Sequence, residues 1–204
     1  MARPREFNPD TAIADAMSVF WEHGYDAASL RELLKGMGLT RGSLYKAFVD
    51  KKSLFLRVLE RYEVEAVQTA AAYLSRGPED GVERILKAFE GVVQTAKNGD
   101  RRGCLLCSAA AGPAAVDEEI AEIVHAQLDK MRLGFEHALS ESQAWKGVDE
   151  KERKEFSCFL LSQYVGLRIL VRSNAPISDL QGCLGALGRI ISPGISPTAG
   201  SRTA

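Results

Sequence analysis

ASLRELLKGMGLTRGSLYKAFVDKKSLFLR, residues 28–57, reads as two short helices hinged at a glycine. Ser29 and Glu32 stand in the S-x-x-E spacing of a capping box, which satisfies backbone N–H groups that a helix start otherwise leaves open. That start predicts a helix whose apolar side is Leu30, Leu33, Leu34 and Met37, and Gly38 ends it. Thr40 is placed to cap a second helix, with Leu44, Ala47 and Phe48 inward and Arg41, Gly42, Ser43, Tyr45 and Lys46 outward or at the flanks. The pattern is a helix-turn-helix in which the second helix reads the partner.

Charge points the same way. The stretch holds seven basic residues (Arg31, Lys35, Arg41, Lys46, Lys51, Lys52, Arg57) against Glu32 and Asp50, a net of +5, in a chain whose formal total is −1. Positive field is thereby concentrated where a phosphate backbone needs it, although charge runs are also common on ordinary solvated hairpins. Gly42 adds weight, because a glycine inside a short helix costs about 1 kcal/mol against alanine. Two reasons for keeping it are close approach to DNA and a tight contact between protein helices.

The segment resembles the DNA-binding domain of the TetR family of one-component transcriptional regulators. The resemblance rests on Ser29-Leu30-Arg31, Leu33, Gly38-Leu39-Thr40, Gly42-Ser43-Leu44-Tyr45, Phe48, Asp50-Lys51 and Leu54. It implies that Tyr45 and Lys51 hold DNA phosphates and that Arg41, Gly42, Ser43 and Lys46 lie near base edges, with Arg31 and Thr40 beside them. The chain departs from the usual pattern at Ala47, where histidine or tyrosine is frequent, and at Gly36 and Val49, where alanine and proline are. With Ala47 there, one phosphate contact per subunit that the resemblance would imply is not expected. The resemblance covers about a quarter of the chain, and order, spacing and residue type agree together.

With 204 residues, 46% of them hydrophobic, the chain can bury a sizeable core, and we read an all-α protein of two parts. Residues 1–52 are expected to form a three-helix DNA-binding domain, residues 53–191 a helical bundle for effector binding and dimerisation, and residues 192–204 a disordered tail. A near-neutral charge excludes a generally basic nucleic-acid coat protein. No apolar N-terminal run marks a secretory signal, and the most apolar later stretch, residues 156–171, is interrupted by Ser157, Ser162, Gln163 and Arg168. A cytoplasmic protein without membrane association is expected, and four cysteines suit a reducing compartment better than a disulfide scaffold.

Arg3 and Arg5 precede the first helix, either as an arm toward DNA or as a plain tail. Asn8-Pro9 opens that helix, whose apolar side is Ile13, Ala16, Met17 and Phe20, with Trp21 and Tyr25 expected to close the three-helix core. Asp50 caps a longer helix through Leu54, Phe55, Val58, Leu59 and Tyr62, linking the two parts. Beyond it only amphipathic helices follow, with one stripe of Ile85, Leu86, Phe89, Val92 and Val93 and another of Ile120, Val124, Leu128, Met131, Phe135 and Ala138.

In the last two helices Phe156, Phe159, Leu160, Gln163, Leu167 and Leu170 form one face and Ile177, Leu180, Leu184, Leu187 and Ile191 another. Gly182, Gly185 and Gly188 make a stripe of small residues that favours close packing. The resemblance implies a dimer interface here, carried by Phe156, Phe159, Leu160, Gln163, Leu167, Leu180, Leu184, Leu187 and Ile191. Ordinary packing within the chain is the alternative. A two-fold homodimer matches a palindromic operator on double-stranded DNA with half-sites about 34–36 Å apart.

Cys104 and Cys107 follow Arg101-Arg102-Gly103. A helix starting there would favour thiolates and make a redox or electrophile sensor, whereas buried cysteines are more often packing residues. No metal or cofactor is expected, because no second C-x-x-C exists and the chain has three histidines. Phe89, Cys104, Cys107, His125, Met131, Phe135, Phe159, Gln163, Tyr164 and Arg168 are candidates for an effector pocket, with His137 and Trp145 as further possibilities. Their mix suits a medium-sized, partly apolar or anionic molecule.

The expectation is a non-enzymatic, ligand-responsive transcriptional regulator, a repressor released from its operator by a small-molecule or electrophile/redox signal. The alternatives are a small helical thiol redox enzyme using Cys104 and Cys107 and a DNA-binding dimer without an inducer.

Overall fold

The computed structural model describes residues 7–191; the arginines of the expected arm and the expected tail lie outside them. Ten α-helices and no strand occur among the described residues. They are α1 (Pro9–His23), α2 (Leu30–Met37), α3 (Arg41–Ala47), α4 (Lys51–Tyr62), α5 (Gln68–Arg76), α6 (Gly81–Lys97), α7 (Leu105–Ala111), α8 (Glu118–Glu141), α9 (Glu150–Arg172) and α10 (Ile177–Ile190). No described helix is long and apolar enough to cross a membrane. The helices form two compact units, one holding the residues through Thr69 together with Arg102–Asp129, the other Ala70–Arg101 and the residues from Lys130 onward.

In the first unit local chemistry sets each helix start. The Asn8 side chain accepts from the backbone N–H groups of Asp10 and Thr11, and Pro9 occupies the first turn of α1, where its missing N–H costs nothing. The capping box at α2 is complete: the Ser29 hydroxyl accepts from the Glu32 N–H, and Glu32 takes the Ser29 N–H at 2.8 Å. Gly38 closes α2 in the left-handed conformation, φ 63°, which leaves Leu39 free to donate to the Leu34 carbonyl. Asp50 and Ser53 make a second reciprocal cap at α4. α4 passes through a π turn, Glu63–Val67, into α5.

α1 packs on both α2 and α4. Phe20, Leu33, Leu44, Leu54, Phe55, Val58 and Leu59 are fully buried there, and Tyr25 closes the core by ring contacts with Phe20 and Phe55 at 6.0 and 4.7 Å. Gly36 admits α1, since a Cβ would stand 2.6 Å from Val19 Cγ2. Trp21 departs from its expected place in the three-helix core. It lies edge-on to Tyr62 at 5.1 Å, donates its indole N–H to the Gly103 carbonyl and carries the Arg102 guanidinium on its face. On α8, the buried Gln127 donates to the Leu59 carbonyl at 3.0 Å.

The second unit is assembled on α6, which packs against α9 and α10. Ile85, Phe89, Val92 and Val93 face its interior, and Phe89, Phe135 and Tyr164 form a ring cluster with centroids 5.2–6.0 Å apart. At the start of α6 the helix runs so close to α8 that a Cβ on Gly81 would fall 1.7 Å from the Ala138 carbonyl oxygen. The buried Arg84 reaches Glu141 beside it, and the Asp80 carboxylate, after capping Val82, takes the Ser142 hydroxyl and the Gln143 N–H. Trp145 donates to the Ile191 carbonyl at 2.8 Å, tying down the end of α10.

Candidate nucleic-acid interface

The helix-turn-helix is α2, the Gly38 turn and α3. Only Leu44 of α3 is buried, with Phe48 at its C-cap, so a seven-residue helix is held from one side and open on the other. Arg31, Thr40, Arg41, Gly42, Tyr45 and Lys46 are exposed, Tyr45 at 47%, and Ser43 is half-exposed. Ala47, expected to face inward, is exposed as well: Leu44 and Phe48, four apart, already supply the whole anchoring stripe of so short a helix.

The hydroxyls of Thr40 and Ser43 lie 2.9 Å apart, and Thr40 Oγ1 also accepts the Ser43 N–H at 3.2 Å. Capping therefore fixes the first turn, from which Arg41 and Gly42 project. The Arg41 guanidinium lies 5.8 Å from the Tyr45 ring centroid, a loose stack that holds a cation and a phenol on one face. Nothing in the described chain comes within 4 Å of a Cβ built on Gly42. Of the two reasons for that glycine, a tight contact with another helix of the described chain is thus excluded.

Lys51 and Lys52 are neighbours with different fates. Lys51 lies 4.7 Å above the Tyr25 ring and donates to the Asp26 carbonyl at 3.2 Å. Partial burial lowers its pKa, against the attraction of Asp26 and Glu32. Its ammonium is thus held in place against Tyr25 and Asp26. Lys52 pairs with Asp117 at 2.8 Å and Glu119 at 3.0 Å, and these two carboxylates push its pKa well above 10.5. Lys52 is therefore spent inside the chain, and the positive charge read from the sequence at this place overstates what the surface offers. Neither Tyr25 beneath Lys51 nor the acids on Lys52 had a sequence signal, because both lie far along the chain from the lysine they serve.

The candidate effector residues divide between the units. Cys104, Cys107 and His125 fall in the first: both cysteines are buried, Cys104 accepts from the Tyr62 hydroxyl at 3.5 Å, and His125 is exposed. Phe89, Met131, Phe135, Phe159, Gln163, Tyr164 and Arg168 fall in the second. Arg168 donates to the Tyr164 hydroxyl at 2.7 Å and stacks on its ring, which sets a cation beside the Phe89–Phe135–Tyr164 cluster. Met131 is buried, and Phe159 packs on Phe156, itself on Trp145.

The nine side chains expected at a dimer interface are also divided. Leu160, Leu167, Leu180, Leu187 and Ile191 are buried in the chain's own core, Phe156, Phe159 and Leu184 are half-buried, and Gln163 is exposed. The outward side of α9 and α10 carries Ile169, Leu170 and Ile190 instead, around an open, mostly apolar groove of about 440 Å³ that Gln163, Gly166 and Cys183 also line. Gly182 and Gly188 are exposed on α10, and a Cβ added to either would meet nothing of the described chain within 4 Å.

Residues 12–58 match the family described as bacterial regulatory proteins, tetR family. The chain is 26% identical over 184 residues to an uncharacterized HTH-type transcriptional regulator, YezE of Bacillus subtilis, covering 89% of this chain and 94% of that one. It is 45% identical over 60 residues, 29% of each chain, to the HTH-type transcriptional repressor ComR of Escherichia coli. Among solved structures it resembles a cysteine mutant of the TetR family transcriptional regulator CifR complexed with a 26-base-pair double-strand operator DNA. That likeness has a TM-score of 0.78 and 26% identity, and covers 92% of this chain and 99% of that one.

Proposed function

Since the chain belongs to the TetR family of transcriptional regulators, we propose that it is a ligand-responsive repressor that binds a palindromic operator as a homodimer and leaves it when an effector is bound. The observation that carries this reading is the open side of α3, where a Cβ on Gly42 would meet nothing of the described chain, among Arg41, Ser43, Tyr45 and Lys46. Arg41, Gly42, Ser43 and Lys46 face base edges, while Tyr45, Lys51, Thr40 and Arg31 hold the backbone. Residues 1–52 do the reading, and residues 53–191 take up the effector and a second copy.

The effector reading draws support from the Phe89–Phe135–Tyr164 cluster with Arg168 at its edge, which suits a partly apolar molecule with an anionic group. The homodimer reading draws support from the outward groove of α9 and α10 and its bare glycines, which a second copy of the same helices would fill. Release requires that the effector bind the DNA-incompetent form better, with about 1.4 kcal/mol of preference for each tenfold shift. The role is that of a cytoplasmic regulator and not of an enzyme.

A gel-shift titration with the DNA flanking its own gene tests the proposal. The reduced, full-length protein should shift that DNA in a salt-dependent manner and prefer it over scrambled duplex. Equal affinity for both sequences would end the operator reading.

A further inference from the structure

α4 opens on Lys51 and Lys52 and has no acid in its first turn, although the positive end of a helix dipole favours anions there. Two cations at that end work against the helix, and an anion from outside it is the reason for keeping them. For Lys51 the proposed function supplies that anion as a DNA phosphate. For Lys52 the chain supplies it: Asp117 Oδ1 at 2.8 Å and Glu119 Oε2 at 3.0 Å meet its ammonium as two oxygens of a phosphate would.

The two acids are held where they are by other contacts. The Asp117 carboxylate caps α8 by accepting the Ile120 N–H at 3.3 Å. The short helical turn before it, Pro113–Val116, is tied to the loop after α1 by the Ala114 N–H, which donates to the Asp26 carboxylate. Capping accounts for Asp117. It does not account for Glu119, whose side chain is 58% exposed and reaches back to the same lysine. Stability does not account for it either, because ion pairs this open to water contribute little. Lys52 with its two acids sums to −1, so the grip leaves a negative charge beside the surface that meets phosphates.

We propose that Asp117 and Glu119 make an autoinhibitory contact: they occupy Lys52 in place of a DNA phosphate and hold operator affinity below what the open lysine would give. The proposal rests on the regulator reading above and adds to it a second phosphate ligand at the start of α4, one that the chain withholds. Adjacent Cα atoms stand about 3.8 Å apart, so a released Lys52 serves the same stretch of DNA backbone as Lys51. A regulator that must leave its operator needs an affinity that the differential binding of an effector can overcome, and a withheld contact keeps it there.

The test titrates duplex DNA at several salt concentrations with the full-length parent and with the double variant Asp117→Asn, Glu119→Gln, in which an amide oxygen still accepts the Ile120 N–H. Each added phosphate contact steepens the log–log salt slope by about 0.9, which is about an eightfold gain at 0.1 M relative to 1 M. The double variant should therefore bind operator about eightfold more tightly per subunit at about 0.1 M salt, with a slope steeper by about 0.9 per subunit. Adding Lys52→Ala should abolish both gains. Unchanged affinity and slope in the double variant would overturn the proposal, as would gains that survive Lys52→Ala, since those come from lost acid charge alone. Glu119→Gln by itself leaves the Asp117 cap untouched and should show the same sign at smaller size, so the proposal can still be refuted if the double variant does not fold. Phosphate contacts carry no sequence information, so scrambled duplex should show the same gain. The regulator reading fails instead if the parent shows no preference for operator over scrambled duplex, a result that leaves the comparison of variants intact.

Discussion

Gly42 and Gly81 both sit in the first turn of a helix, and they are there for opposite reasons. Gly81 opens α6 against α8, where a methyl group would overlap the Ala138 carbonyl oxygen, a backbone atom that cannot swing aside. Gly42 opens α3 away from the described chain, where a methyl group would meet none of its atoms within 4 Å. One glycine is required by the chain's own interior. The other is unexplained by the described chain and finds its reason in something outside it. A helix-weakening residue with no internal neighbour is thus a sign of function, whereas the same residue wedged against backbone is a sign of packing.

The largest effect should come from Gly81→Ala, which forces α6 away from α8 and should lower the stability by about 1–3 kcal/mol or prevent folding. Thermal melts of the variant and parent check this; an unchanged melting temperature would refute the close approach. Lys51→Ala should weaken binding to all duplexes by about tenfold and reduce the salt slope by about 1 per subunit, measured by titration at several ionic strengths. The companion test, Gly42→Ala, should gain up to about 1 kcal/mol of stability while losing operator affinity. A variant that is stabler and binds DNA as well as the parent would erase the contrast between the two glycines.

The smallest effect concerns pH. The Arg84 guanidinium holds the Glu141 carboxyl below its ordinary 4.5, with His137 also contributing. The stabilisation this ion pair contributes is complete above that value and is lost as the pH falls through the lower folded pKa. Because Glu141 is half-exposed, the change is modest. Urea midpoints at pH 7 and near pH 3 should fall less in Glu141→Gln than in the parent, and equal declines would show that the pair does not couple to protonation.

Much of the DNA-reading half was legible in the sequence because capping and helical periodicity act over three or four residues. The Ser29–Glu32 capping box and the caps at Thr40 and Asp50 are local statements, and each appears as a hydrogen bond. Ala47 was misplaced because its position in a seven-residue helix depends on how few neighbours press on that helix. The double grip on Lys52 by Asp117 and Glu119 had no local trace, since no pattern relates residues that far apart. In the helical part the apolar stripes foretold which helices form. They did not foretell that Leu160, Leu167 and Leu180 would be used up within the chain while Ile169 and Ile190 were left outside.

The amino-acid order by itself determined the all-helical class, the helix-turn-helix and its caps, since these depend on propensity and on hydrogen bonds between near neighbours. Only the tertiary structure decided which charges stay available and which glycine faces open space. Those outcomes depend on distances between segments remote in sequence, and a contact of that kind exists only once the chain has closed on itself.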